Sequence, residues 1–556
     1  MSRRLLIWCG LLYAGYVWWV WPRIGLPLLA DEVAFAASAQ RTPTEMIAVI
    51  PHPLTYLGML RSLLWWGMPA GPWLRVVGVA SFGITLVLVA YVAHRLTPGS
   101  GALAAALWAM HPMAIQGSLI LEIDTALLTM VMTAYLALLM TFPIQLSKPQ
   151  VGWLGAALAG CLWVKLSCAP FLLLALAVRA WSLRNWQLGW RHLLQVAGIG
   201  GSLFLASWTL VSQAAEIPWM SIFQWVFSAV HRGLQGPVFS VATEFLNRII
   251  RIGLWLNPWL ILLLIPLGRW VWQMDRTERW RWWCAASLVG SLGVGYLVVR
   301  GTHFGFTKYH LPALPAALAL LAAMTLRLGR LPKAQSVLVL GAAVLVGACY
   351  FWWVGDLLYD VNFTLRTALI TGVPAVQGVV RMLWVRGLFY ALPGVLVCAA
   401  VWRSSRSRRW QVGIAGLLVL LLSSNLALDL RQRQAAYATT YTYGRPWASF
   451  HEAVHFVAAY RQAHPQQDVV GPVDVLWAAG VLYSKWLSLS LPDGGATVRQ
   501  AVANPAVGCI MYGTTTHDLK AWRGIFDTPD FLQPLERQFT RSTLGQGEYV
   551  VWVRRS

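Results

Sequence analysis

The 556-residue chain is 58% hydrophobic and only 12% charged, with a mean hydropathy of +0.58, which excludes an ordinary soluble globular protein. Lys and Arg total 43 against 21 Asp and Glu, a formal charge of +22. Residues 1–427 hold 31 basic and 11 acidic groups and residues 428–556 hold 12 and 10, so the excess belongs to the apolar part and implies no nucleic acid.

In chain order, apolar stretches of bilayer-crossing length fall near 5–22, 73–93, 100–116, 119–142, 151–166, 169–183, 192–212, 252–268, 283–299, 309–326, 335–355, 387–402 and 410–427. They predict about 13 transmembrane helices. The third is interrupted near His111-Pro112, and the pair divided around Lys165 to Pro170 reads either as two crossings or as one irregular element. The MSRR start followed by an apolar run resembles a signal peptide, but WVWPRIG offers no small-residue cleavage pattern, so the first span is expected to be retained. The 33 Trp suit the two membrane interfaces. Seven Cys form no close pair and read as small hydrophobes.

With a cytoplasmic N-terminus, the short inner segments hold 18 Lys or Arg and two acids, Asp275 and Glu278, as the positive-inside rule requires. Outer loops near 24–72, 213–251 and 356–386 are then long enough to be functional. In the second of these, IPWMSIFQWVF at 217–227 reads as an interfacial helix or as a helix sealing the bundle. From 428 onward HEAVHFVAAYRQA and DVLWAAGVLYSKW read as helices, and DVVGPV, AVGCIMYG and EYVVWVRR as strands. The chain therefore divides into a polytopic α-helical membrane protein, 1–427, and a small C-terminal α/β extracytoplasmic domain, 428–556. The basic inner face also implies contact with anionic membrane lipids.

Chemistry is expected where polar groups interrupt this pattern. Asp31 and Glu32, in GLPLLADEVAFA, stand at the start of a predicted helix, where exposed amides favour carboxylates. The same position suits a general base at the membrane surface. Helix neighbours point about 100° apart, so one of the two faces a given pocket, and Asp31 is the choice for the base. His52 and Tyr56 follow in VIPHPLTYLGMLR. Glu122 and Asp124, in LILEIDTALLTM, are expected at the outer start of the fourth span, either capping it or serving a site. Together these acids could bind an acceptor, a divalent cation at Glu122 and Asp124, or both. Lys165 in CLWVKLSCAPF, Arg300, and Lys308, Tyr309 and His310 in FTKYHLPALP supply groups for a phosphate, though lone cations near an interface also merely snorkel.

Taken in order, ADEVAFA, PHPLTYLGML, LRVVGVASFG, LILEIDTALLTM, LWVKLSCAPF and FTKYHLPALP resemble the glycosyltransferase C superfamily, family 39, which holds the protein O-mannosyltransferases and lipid A aminoarabinose transferases. The resemblance implies a glycosyltransferase C-type bundle and inverting transfer of a sugar from a polyprenyl-phosphate donor outside the cytoplasm. It implies Asp31 as the group activating the acceptor, Glu32 in support, Asp124 as a second acidic position with Glu122 beside it, and Lys165, Lys308 and His310 at the lipid phosphate. It also implies a bacterial inner membrane with the C-terminal domain in the periplasm. The acceptor is a lipid, glycan or protein. Competing readings are a polyprenyl-linked glycan transporter, which predicts repeats and charges through the bilayer, and a non-catalytic envelope scaffold.

Overall fold

The computed structural model describes residues 2–24, 31–69, 71–183, 185–224, 274–298, 311–328, 447–472, 502–513, 529–547 and 549–555, with a few single positions between them. The spans expected at 252–268, 335–355, 387–402 and 410–427 and the loop at 356–386 lie outside the described residues.

The first helix, α1 (Arg3–Ile24), leads to three short helices, α2 (Asp31–Ser38), α3 (Pro43–Val49) and α4 (Thr55–Trp65), which form the first long loop. Local chemistry sets their starts. Thr42 caps α3 in a reciprocal box, its amide donating to Glu45 Oε2 at 2.9 Å, while Pro43 needs no donor at the first helical position. A 3-10 turn at Pro72–Arg75 then runs into α5 (Val76–Leu96), whose Phe82, Leu86, Val89, Ala90 and Ala93 are fully buried. This helix is the hub, packing against α1 and against α6 (Gly101–Met110), α7 (Pro112–Ser118) and α8 (Ala126–Thr141).

The break between α6 and α7 falls at His111, as expected. The proline that follows disfavours helical backbone at this residue, which is extended at φ −76° and ψ 120°, and Pro112 opens the next helix. Gly78 explains how closely α5 meets α7, because a Cβ there would overlap the Ser118 carbonyl oxygen. Tyr16 completes the junction, stacking on Phe82 at 3.7 Å and sharing a 2.5 Å hydrogen bond with the Ser118 hydroxyl.

Helices α9 (Lys148–Val164) and α10 (Ala169–Trp181) form an out-and-back pair joined by a 3-10 turn at Leu166–Cys168. Arg179, near the end of α10, donates to the carbonyls of Leu139 and Pro143, just ahead of the start of α9, so the two helices begin and end on one side. Of the two alternatives for 151–183, the structure has two separate helices. After them come α11 (Trp186–Ala214), packed on α9 and α10, then α12 (Arg276–Val298) and α13 (Leu314–Leu328).

Among the described residues Pro72–Leu96 and Trp186–Ala214 are long and apolar enough to cross a membrane, and shorter apolar helices lie beside them. Large apolar side chains point outward from α1 and α11, including Leu11, Trp18, Leu194 and Leu210. Such faces are costly in water and natural against hydrocarbon.

Near the C-terminus, α14 (Trp447–Ala463) and α15 (Pro529–Gln538) accompany a four-stranded sheet in the order β1-β2-β4-β3. β1 (Asp468–Val470) runs parallel to β2 (Val507–Gly513), which pairs antiparallel with β4 (Tyr549–Arg554), as does β3 (Phe539–Leu544). The helix at 451–463 and the strands near 468, 507 and 549 match expectation, whereas α15 and β3 were not anticipated. Most of the helix expected at 474–486 lies outside the described residues.

Candidate active site

Buried charge gathers at the end of the bundle that carries the α2–α4 loop. Glu32, the second residue of α2, and Arg75, the last residue of the 3-10 turn, are both fully buried. Arg75 Nε donates to Glu32 Oε1 and Arg75 Nη2 to Glu32 Oε2, each at 2.9 Å, the two-pronged geometry that a guanidinium and a carboxylate fit best. The Leu121 amide also donates to Glu32 Oε1 at 2.9 Å, and Arg75 Nη1 donates to the Ile24 carbonyl at 3.0 Å. One ion pair therefore ties the end of α1, the start of α2, the start of α5 and the 119–125 segment together. Asp31 opens α2 one residue before Glu32.

The 119–125 segment is not helical. Helix α8 starts at Ala126, so Glu122 and Asp124 precede the span instead of lying in its first turn. Thr125 holds the segment by donating to the Glu122 carbonyl at 2.7 Å, and Thr129 and Thr133 each donate back four residues, which satisfies their hydroxyls inside an apolar helix. Glu122 and Asp124 are both buried. Asp124 makes an ion pair with Lys165, which is buried as well and stands where α9 ends with extended backbone. A carboxylate and an ammonium removed from water need each other, because either one alone carries a desolvation cost of several kcal/mol.

Tyr56, on α4, is buried edge-on against Phe35 of α2 at 5.4 Å. Burial raises its phenol pKa well above the ordinary value of 10.0. The negative charges of Glu122 and then Glu32 push it the same way, and Arg75 partly offsets them. Burial and these charges keep Tyr56 a neutral phenol. His52 is half-buried in the turn before α4, its amide donating to the Ile50 carbonyl at 2.7 Å. The loop is seated on the bundle by Thr44, whose hydroxyl donates to the Ala215 carbonyl at 2.9 Å.

The structure thus brings Glu32, Tyr56 and Glu122 together with Arg75, and pairs Asp124 with Lys165. Arg300, Lys308, Tyr309 and His310 lie outside the described residues. Arg75 was missed from the sequence, although one signal was present: a single cation at the mouth of an otherwise uncharged apolar run, GPWLRVVGV. Among the described residues no group of three or more His, Cys, Asp or Glu side chains gathers, and Lys165 already neutralises Asp124.

No protein-family model and no curated protein matches the chain by sequence. Among solved structures, the chain superposes on ArnT from Cupriavidus metallidurans bound to undecaprenyl phosphate with a TM-score of 0.56 and 16% identity, covering 99% of this chain and 98% of that one. The chain has the fold of ArnT. The apo crystal structure of the same protein gives the same TM-score and identity over 98% of this chain and 97% of ArnT. ArnT is a lipid A aminoarabinose transferase of the glycosyltransferase C superfamily, so the resemblance read from the sequence motifs holds for the fold. The aligned span is close to the full length of both proteins.

Proposed function

We propose that the chain is an inverting glycosyltransferase that takes a sugar from a polyprenyl-phosphate donor and passes it to a lipid, glycan or protein acceptor. The observation that carries this reading is that Glu32, paired with Arg75, also accepts the Leu121 amide and so joins the Asp31-Glu32 helix to the 121–124 acidic segment, within a chain that superposes on ArnT with a TM-score of 0.56. That ArnT was crystallised with undecaprenyl phosphate supports the donor class.

Asp31 accepts the proton of the acceptor hydroxyl or amine while its oxygen or nitrogen bonds to the anomeric carbon from the side opposite the phosphate. The anomeric C–O bond breaks, its electrons leave with the polyprenyl phosphate, and configuration inverts. Glu32, committed to Arg75 and the Leu121 amide, holds the helix that presents Asp31. Lys308, with His310 and Arg300, offsets charge on the departing phosphate, while Lys165, paired with Asp124, contacts it as a hydrogen-bond donor; the phosphate is a good leaving group and needs no acid to protonate it. Tyr56 and His52 bound the pocket. A divalent cation at Glu122 and Asp124 is a separate proposal, and activity after chelation tests it.

The wider organisation belongs to the same reading. It has about 13 spans in residues 1–427, a cytoplasmic N-terminus, a periplasmic domain at 428–556, and a bacterial inner membrane whose anionic lipids meet the basic face. The test is release of polyprenyl phosphate by the purified protein from candidate polyprenyl-phosphate sugars. Asp31→Asn is expected to lose turnover while keeping its unfolding midpoint, and turnover unchanged in that variant removes Asp31 as the base.

A further inference from the structure

The opposite end of the bundle carries a second concentration of charge, which among the described residues is positive apart from the exposed acids Asp275 and Glu278. Arg95 of α5 donates to the Met140 and Thr141 carbonyls at 3.0 and 3.4 Å, and Arg179 of α10 donates to those of Leu139 and Pro143. Two guanidiniums therefore cap the C-terminus of α8. A third, Arg281 of α12, lies 5.2 Å from the centre of the Trp280 ring, which Arg179 also approaches at 4.8 Å. Arg281 feels the like charges of this group, and Glu278, the acid acting on it, is exposed.

Hydrogen bonding here is incomplete. Arg95 Nε, Arg179 Nε, Arg281 Nε, His192 Nδ1 and the Tyr135 hydroxyl are buried and lack a hydrogen-bond partner among the described residues. Arg179 itself is 1% exposed. A helix C-terminus supplies about half a negative charge, too little for three guanidiniums packed together. Buried donors left without acceptors among the described residues, beside three guanidiniums, suit an anion with several oxygens. The position within the membrane is marked by Trp181, Trp186 and Trp190, which lie between Arg179 and His192 in sequence and are 72%, 61% and 46% exposed, as indoles at headgroup depth are.

We propose that this end of the bundle is a binding site for the phosphodiester headgroup of an anionic phospholipid of the cytoplasmic leaflet, gripped by Arg95 and Arg281, with Arg179 fixing the floor. The inference rests on the multi-pass membrane reading above but not on the transfer reaction. A free phosphate shares the chemistry without the acyl chains, and the two sources separate by experiment.

Full-length protein in a neutral detergent is titrated with dioleoylphosphatidylglycerol, dioleoylphosphatidylcholine or inorganic phosphate, and retained lipid is counted by native mass spectrometry. Phosphatidylglycerol is expected to be retained in preference to phosphatidylcholine, and millimolar inorganic phosphate is expected not to displace it. The Arg95→Gln/Arg281→Gln variant is expected to bind phosphatidylglycerol about 30-fold more weakly, from two guanidiniums lost. Arg3→Gln/Arg4→Gln, with the same charge change elsewhere, is expected to bind as the parent does, and Glu278→Gln more tightly. The Glu278 variant keeps the test informative if the double arginine variant does not fold. Equal retention of the two lipids, an equal effect of the two double variants, no tightening with Glu278→Gln, or displacement by inorganic phosphate overturns the proposal. Donor turnover is read separately, so a chain that transfers no sugar yet selects phosphatidylglycerol keeps this site and loses the other reading.

Discussion

Arg75 and Glu32 meet through two parallel hydrogen bonds of 2.9 Å with neither side chain exposed to solvent, and the same carboxylate accepts the Leu121 amide. Glu32 thus has little freedom left for chemistry and much for positioning. Its neighbour Asp31 begins the same helix, so a rigid carboxylate stands beside the one proposed to act. This division of labour between adjacent acids separates a structural variant from a catalytic one.

Removing one member of a buried pair strands the other. Arg75→Met is therefore expected to destabilise the protein by about 3–5 kcal/mol, read as denaturant unfolding in detergent micelles. Glu32→Gln, which keeps the shape and an acceptor oxygen, is expected to cost less. If Arg75→Met leaves the unfolding midpoint where it was, the pair does not hold the loop.

Asp124 and Lys165 call for a double-mutant cycle. Each single change, Asp124→Asn or Lys165→Met, leaves a buried charge without its partner and is expected to cost about 3–5 kcal/mol. The double variant is expected to cost less than the two added together, because no charge is then stranded. Additive losses would mean that the two groups do not interact in solution.

What could be read from the sequence followed from punctuation and pattern. The His111-Pro112 break was legible because proline restricts the residue before it, and the long α5 because nothing charged interrupts it before His94 and Arg95. The acidic positions were legible because ionisable groups are scarce in apolar chains. Their partners were not, since the Arg75–Glu32 and Lys165–Asp124 pairings span 43 and 41 residues and depend on how helices pack. The start of α8 was misjudged because Glu122 and Asp124 adjoin an apolar run, yet side-chain hydrogen bonds by Thr125 favour a turn there. Strand β3 was hidden by its composition: in FTRSTL only Phe539 is buried, a polar edge strand with no apolar alternation.

Gly78 tests the packing that positions the 119–125 segment. A methyl group there overlaps the Ser118 carbonyl oxygen, which is backbone and cannot swing aside. Gly78→Ala is expected to separate α5 from α7 and to cost about 1–3 kcal/mol. The loss should exceed that of Gly152→Ala, where a Cβ meets nothing within 4 Å. Equal effects at the two glycines would show that the close approach is relaxed in solution.

Tyr56 gives the site a signature at high pH. Burial first, then the charges of Glu122 and Glu32, raise its pKa well above the 10.0 of an exposed phenol. Below pH 10 both folded and unfolded chains carry the proton, and the preference costs nothing. As pH rises past 10 the unfolded chain releases its proton while the folded one keeps it, so the unfolded state binds fewer protons and stability falls with pH. The slope contributed by this one group approaches about 1.4 kcal/mol per pH unit, until pH reaches the folded value. Tyr56→Phe removes that contribution, so between pH 10 and 11 the unfolding midpoint of the variant is expected to fall less steeply than that of the parent. Parallel slopes would place the Tyr56 hydroxyl in water, away from Glu32 and Glu122.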